Sequence, residues 1–134
     1  MAADIAALAA LVQEQGRLDE AECLYRRALS VFESTYGTDD YEVAVTCNNL
    51  GALEAAREKP HDAEKLYRRA LQIKESILGG DHPDVAMTLH NLGVLCAGQD
   101  RVPEAKALLR RALVIFESTL PKARASRDEL ARLT

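Results

Sequence analysis

Apolar residues recur three and four positions apart along the whole chain. The first such stripe ends at Gln15-Gly16 and consists of Ile5, Leu8, Ala9 and Val12. This spacing places side chains on one face of an α-helix, whereas a strand would need strict alternation. No segment of the sequence alternates in that way. The pattern therefore predicts an all-α protein.

Glycine and proline divide the pattern into successive helices. After the first helix, the predicted helices cover about 18–36, 41–57, 60–78, 83–97 and 103–120, and a short helix with Leu130 and Leu133 is predicted at 126–134. Gly37 and Gly79 stand where a residue without a side chain commonly ends a helix. Pro60 and Pro103 stand at helix starts, because the missing N–H of proline would be unbonded there anyway. The sequence thus alternates a shorter and a longer helix.

A nine-residue segment, AEKLYRRAL at 63–71, has related copies at 21–29 and 105–113, each 42 residues away. A period of this size is typical of stacked helical repeats. We expect one domain over 1–134, with repeats at about 2–37, 41–79 and 83–120. The helix at 126–134 is either a polar cap or the shortened start of a fourth unit, since Ser126 lies 42 residues after Asp84.

Particular residues within the repeat resemble a known family. The middle unit has Leu50-Gly51 followed by Ala63, Tyr67 and Ala70, which resembles the tetratricopeptide repeat (TPR) pattern of Leu-Gly, alanine, aromatic residue and second alanine. The 42-residue period and the segment GGDHPDVAMTL at 79–89 resemble the kinesin light chain and nephrocystin-3 type. The resemblance implies a right-handed superhelical α-solenoid of three helix-turn-helix units plus a short C-terminal helix, acting as a protein-binding scaffold.

The resemblance also implies that the first helix of each unit lines a concave groove that binds an extended or short helical peptide. The residues expected to line it are Asn48, Asn49, His90 and Asn91 as polar contacts, and Val45, Met87 and Val94 as apolar walls. An asparagine amide can donate to and accept from a peptide backbone at once. Asn49 and Asn91 are 42 residues apart, so they occupy equivalent positions. The alternative is that these asparagines cap or bond neighbouring helices.

Composition and charge narrow the range of partners. The formal net charge of −4 argues against nucleic acid, because binding phosphates requires an excess of basic residues. No apolar run is long enough to insert into a membrane. The three cysteines, Cys23, Cys47 and Cys96, form no CxxC pair, which favours a reduced, cytoplasmic setting. We therefore expect a protein or peptide partner.

Residues that could carry chemistry all have structural interpretations. His82 is expected at a helix start, and Cys47 and Cys96 occupy core positions of the repeat. The arginine pairs, such as Arg68-Arg69, are expected on a solvated outer face beside glutamates. No catalytic residue, metal site or cofactor is predicted, so the chain is not expected to be an enzyme. The alternative to peptide binding is a structural role, as a homo-oligomer or as part of a longer repeat array.

Overall fold

The computed structural model describes residues 1–119. These form six α-helices: α1 (Ala2–Glu14), α2 (Leu18–Tyr36), α3 (Tyr41–Ala56), α4 (Pro60–Leu78), α5 (Pro83–Gly98) and α6 (Val102–Thr119). Packing divides the chain into two compact units, Met1–Ile77 and Leu78–Thr134. The predicted helix at 126–134, and with it the choice between a cap and a fourth unit, lies outside the described residues.

The helix ends follow the local chemistry that the sequence predicts. The Asp40 side chain accepts a hydrogen bond from the Glu42 N–H at 2.9 Å and so caps the start of α3. His82 caps α5, where its Nδ1 accepts from the Asp84 N–H at 3.1 Å. Each bond satisfies an N–H that a helix leaves unbonded in its first turn. The prediction that His82 serves a helix start is confirmed.

In the first unit, four consecutive helices enclose a core that is mostly aliphatic and includes Phe32. Helix α1 packs against α2, and α2 packs against α3. Leu50 and Leu53 of α3 are fully buried in the same cluster as Leu29 and Phe32 of α2. Small residues permit this close packing, as at Ala9, Ala21 and Ala28, none of which is exposed. The buried alanines thus leave room for neighbouring helices to pack against one another.

One predicted core position is wrong. Leu8 belongs to the apolar stripe of α1 and is the counterpart of Leu50, yet its side chain is 49% exposed whereas Leu50 is 0% exposed. The reason is the neighbour: α2 covers this face of α3, whereas no described helix precedes α1 to cover its equivalent face. Leu11 is exposed for the same reason.

In the second unit, α5 packs against α6. Gly93 makes this possible, because a Cβ at that position would lie 2.8 Å from Leu109 Cγ. Its counterpart in the first unit is Gly51, where a Cβ would lie 2.9 Å from the Tyr67 ring. The Leu-Gly pair therefore has the same physical role in both units, since its glycine lets a large side chain of the next helix lie against the backbone.

The two arginines of a pair differ in their surroundings. Arg68 is exposed and pairs with Glu64 at 2.9 Å, one helical turn away. Arg69 Nη2 instead donates to Glu33 Oε2 at 2.8 Å and to the Thr38 carbonyl at 3.2 Å, which ties α4 to α2 and to the turn after it. Both arginines lie beside glutamates, as expected, and Arg69, whose side chain is 34% exposed, contacts the Thr38 carbonyl as well.

Candidate peptide-binding surface

In the first unit, the predicted surface is a strip along α3. Val45, Asn48, Asn49 and Ala52 are all half-buried, and their spacing of three and four residues puts them on one side of the helix. The residues between them, including Cys47 and Leu50, are buried. Asn48 has an interaction partner within the protein. The strip thus presents amide groups at a partly accessible surface above the core.

In the second unit, the predicted residues lie on the accessible side of α5. Met87 and Val94 are each 53% exposed, His90 is exposed, and Asn91 is half-buried. Like Asn48, Asn91 already has an interaction partner within the protein. These residues follow one another at helical steps, so that a single helix face carries two apolar and two polar side chains.

Three of these residues meet at one pocket. Met87, His90 and Asn91 line a cavity of about 280 Å³ together with Phe116 of α6. Val94 lies further along α5 and is not part of the lining, whereas Val45, Asn48 and Asn49 belong to the first unit. The structure therefore brings together an apolar floor and two polar side chains in the second unit.

Phe116 was not predicted from the sequence, because only the first helix of each repeat was expected to line the groove. Phe116 is the counterpart, two repeats later, of Phe32, which is buried in α2. The intervening counterpart is Lys74. In the second unit the same aromatic position is only half-buried. The recurrence of phenylalanine at this repeat position was a signal in the sequence. Only the structure shows that the burial of the position differs between repeats.

Two of the three cysteines are packing groups, as their repeat positions predict, whereas Cys23 is exposed. Cys47 and Cys96 are completely buried. Burial raises the pKa of the Cys47 thiol and the nearby Glu33 raises it further, while Arg69 opposes the shift. A thiol with a raised pKa is a poor nucleophile, because the thiolate is the reactive form. Cys96 Sγ lies 3.7 Å from Glu104 Oε2, to which a thiol can donate a weak hydrogen bond.

Within residues 1–119, no group of three or more histidine, cysteine, aspartate or glutamate side chains is arranged to hold a metal ion. None of the helices over the same range is both long and apolar enough to cross a membrane.

Comparison with protein families identifies the repeat. The model of the tetratricopeptide repeat matches residues 1–76 and 45–118. The chain belongs to the tetratricopeptide repeat family. Its repeats are of the kinesin light chain type, and the predicted all-α helical-repeat fold is confirmed. Tetratricopeptide repeats generally serve as protein-interaction modules. No curated protein matches the sequence.

Solved structures show the same repeat. BtubC (BKLC) from P. vanneervenii is 30% identical with a TM-score of 0.83, and the match covers 87% of this chain and 46% of that one. The nearly identical TPR-like repeats assigned to a kinesin light chain of Podosopora anserina are 25% identical with a TM-score of 0.80, and the match covers 96% of this chain and 63% of that one. The chain thus spans about half to two thirds of the solved chains it matches.

Proposed function

We propose that this TPR chain is a protein-interaction scaffold that binds an extended or short helical peptide on the first helices of its repeats. The observation that carries the proposal is the pocket formed by Met87, His90, Asn91 and Phe116. It combines an apolar floor with side chains that can bond a peptide backbone. Concave apolar sites with a few convergent polar groups are the usual form of a binding site.

The chemistry of the pocket suits one apolar side chain of a peptide. Such a side chain would enter between Met87 and Phe116 and would leave water, which contributes about 1.5–3 kcal/mol for a leucine-sized group. Asn91 and His90 stand at the edge, where they can bond the adjoining backbone N–H and carbonyl groups. Val94, one helical turn further on and 53% exposed, offers a second apolar contact.

The first unit carries the equivalent side chains one repeat earlier. Val45 corresponds to Met87, Asn48 to His90, and Asn49 to Asn91. Each set places an apolar residue one turn before a polar pair on the first helix of its repeat. The shared spacing supports the proposal that each of the two helices contacts a peptide backbone, with Asn49 and Asn91 as the principal polar contacts.

The proposal is tested with a peptide selected from a random linear library on the wild-type protein. The double variant N49A/N91A should bind that peptide about 5- to 150-fold more weakly, because two hydrogen bonds of about 0.5–1.5 kcal/mol each are lost. Isothermal titration calorimetry measures the affinity. The melting temperature, recorded by circular dichroism, reports whether the fold is kept.

The matched control is Gln72→Ala, which removes an exposed amide from α4, the second helix of its repeat, and should leave the affinity unchanged. If N49A/N91A binds the peptide as tightly as the wild type, the two asparagines do not belong to the binding site. If no linear peptide can be selected at all, the proposed function itself fails.

A second candidate function, a structural segment that associates end to end, is favoured by one observation. Leu8 and Leu11 are exposed on the face of α1 that corresponds to the buried Leu50 and Leu53 of α3. Leucines at a position that is core in the next repeat would gain from being covered by another copy or by a further repeat.

This candidate predicts concentration-dependent self-association that depends on the leucines. The variant L8E/L11E should weaken association by about 150-fold or more, because covering two leucines contributes at least about 3 kcal/mol. Size-exclusion chromatography with light scattering measures the mass. The control A7E/A10E places the same charges at neighbouring exposed positions of α1 and should associate like the wild type. A wild-type protein that stays monomeric at high concentration would exclude self-association of these units.

A further inference from the structure

A buried carboxyl group lies at the interface between the first and second repeats. Glu54, near the end of α3, has a side chain that is only 1% exposed. The same repeat position is occupied by Val12 in the first repeat and by Cys96 in the third, both of them buried. The position is therefore a core position, and only the second repeat places an ionisable carboxyl group there.

The nearest cation is engaged mainly by other carboxylates. Arg57 Nη1 donates to Glu22 Oε2 at 2.5 Å and Arg57 Nη2 to Asp19 Oδ1 at 2.6 Å, both on α2. The same Nη1 lies 3.5 Å from Glu54 Oε1. The other oxygen of Glu54, Oε2, is buried and has no hydrogen-bond partner among the described residues. If Glu54 were ionised, its buried negative charge would be stabilised by only one long hydrogen bond, the 3.5 Å contact with Arg57.

Such an arrangement is unfavourable for the charged form of the acid. A buried ionised group is stable only when it is paired and fully hydrogen-bonded. A protonated Glu54 removes the difficulty, because its O–H can donate to the neighbouring Glu22 carboxylate. Glu22 is the better site for the negative charge, since Arg57 donates to it at close range. The geometry thus favours one proton and one negative charge for the two groups.

The pKa directions of the two groups agree with this geometry. Burial raises the pKa of Glu54, and the hydrogen bond that a protonated Glu54 can donate to Glu22 raises it further, as does the Glu22 charge, against Arg57 and Lys59. Accepting that hydrogen bond lowers the pKa of Glu22, as do the charges of Arg57, Arg26 and Lys59, while burial opposes them.

We propose that Glu22 and Glu54 share one proton across the interface between α2 and α3, and that loss of this proton lowers the stability of this interface. The charged groups around the pair come from two places. Asp19 and Arg26 lie on α2, and Arg57 and Lys59 lie in the turn after α3. No histidine is among the groups that act on the pair.

The direction of the pH effect follows from linkage between protonation and folding. The pKa of Glu54 is higher in the folded protein than its ordinary value, so its contribution to stability is complete below that ordinary value and is lost as the pH rises through the folded value. Glu22 has a lowered pKa, so its contribution is lost only as the pH falls through that lower value. The interface is therefore most stable near the ordinary pKa of glutamate, and it weakens as the pH rises from there through the folded pKa of Glu54.

The variant E54Q tests the proposal, because a glutamine amide donates to Glu22 at every pH. Urea unfolding of wild type and E54Q is measured at a series of pH values above the ordinary pKa of glutamate. Relative to E54Q, the folding equilibrium constant of the wild type should fall by up to about tenfold per pH unit through the folded pKa of Glu54. Other titrating groups cancel in this comparison. Parallel pH profiles for the two proteins would overturn the proposal.

The variant E22Q provides a second, independent outcome. Removing the Glu22 charge lowers the pKa of Glu54, so the folding equilibrium constant of E22Q should stop falling at a lower pH than that of the wild type. The same pH range of decline in both proteins would contradict proton sharing. This comparison remains decisive if E54Q fails to fold. Hydrogen exchange locates the effect: with rising pH, the protection factors of α2 and α3 amides should fall in the wild type and stay constant in E54Q. Protection that falls equally in both proteins would place the effect elsewhere.

Discussion

Replacing Leu50 with alanine is expected to lower the free energy of unfolding by about 2–5 kcal/mol. Leu50 is 0% exposed and belongs to the cluster between α2 and α3. The change removes apolar contacts with α2 and leaves a cavity, which neighbouring side chains fill only in part. Urea unfolding followed by far-UV circular dichroism measures the loss.

The repeat supplies a matched control for this substitution. Leu8 occupies the same position 42 residues earlier but lies half in solvent, so Leu8→Ala should cost less than about 1 kcal/mol. Because the two sites are equivalent in the repeat, the difference between their losses in free energy of unfolding measures the effect of the helix α2 that covers Leu50. Equal losses for the two variants would show that α2 does not account for the burial of Leu50.

Replacing Gly51 with valine is expected to cost about 2–4 kcal/mol. A Cβ at this position would lie 2.9 Å from two atoms of the Tyr67 ring and 3.4 Å from the Ala63 carbonyl. The ring is buried, so it cannot turn aside without disturbing the packing of α4. Overpacking of this kind typically costs about 1–3 kcal/mol, and the branched γ-carbons add to it. The loss is measured by the same unfolding experiment.

Gly98→Val separates this clash from the effect of valine itself. Gly98 is also helical, at the end of α5, and a Cβ there would meet nothing within 4 Å. Valine has a slightly better helix propensity than glycine, so this variant should be neutral within about 0.5 kcal/mol. A Gly51→Val protein as stable as Gly98→Val would refute the close approach of α3 and α4.

Local signals in the sequence were sufficient for the helix ends. The predicted starts at Leu18, Tyr41 and Pro60 coincide with those of α2, α3 and α4. The caps at Asp40 and His82 are each formed by a side chain two residues before the N–H that it satisfies, so no distant neighbour is needed. The sixth helix begins one residue earlier than predicted, at Val102, because proline fits any position in the first turn.

The turns within the repeats were predictable only in part. Gly16 marks a break in the sequence and adopts a positive φ of 79°. Its counterparts one and two repeats later, Glu58 and Asp100, adopt φ values of 60° and 61° without being glycine. Left-handed backbone is costly for residues with a side chain. The packed helices on either side hold this turn, and the residue type alone did not reveal it.

The candidate site shows the same division. Met87, His90 and Asn91 were predicted from their common helix face, and they meet at one pocket. Phe116 was missed because it comes from the second helix of the repeat, at a position where Phe32 is buried. Whether an aromatic side chain is core or pocket lining depends on which helix covers it, and that neighbour is distant in sequence.

The sequence by itself determined the helices, the 42-residue period and the tetratricopeptide family, because helical spacing and capping depend on residues within one turn of each other. Only the tertiary structure decided which equivalent positions differ. Leu8 is exposed where Leu50 is buried, and Glu54 shares Arg57 with Glu22 at a position where the third repeat has Cys96. Repeated residues have similar neighbours in sequence but different neighbours in space, and burial and charge are set by the latter.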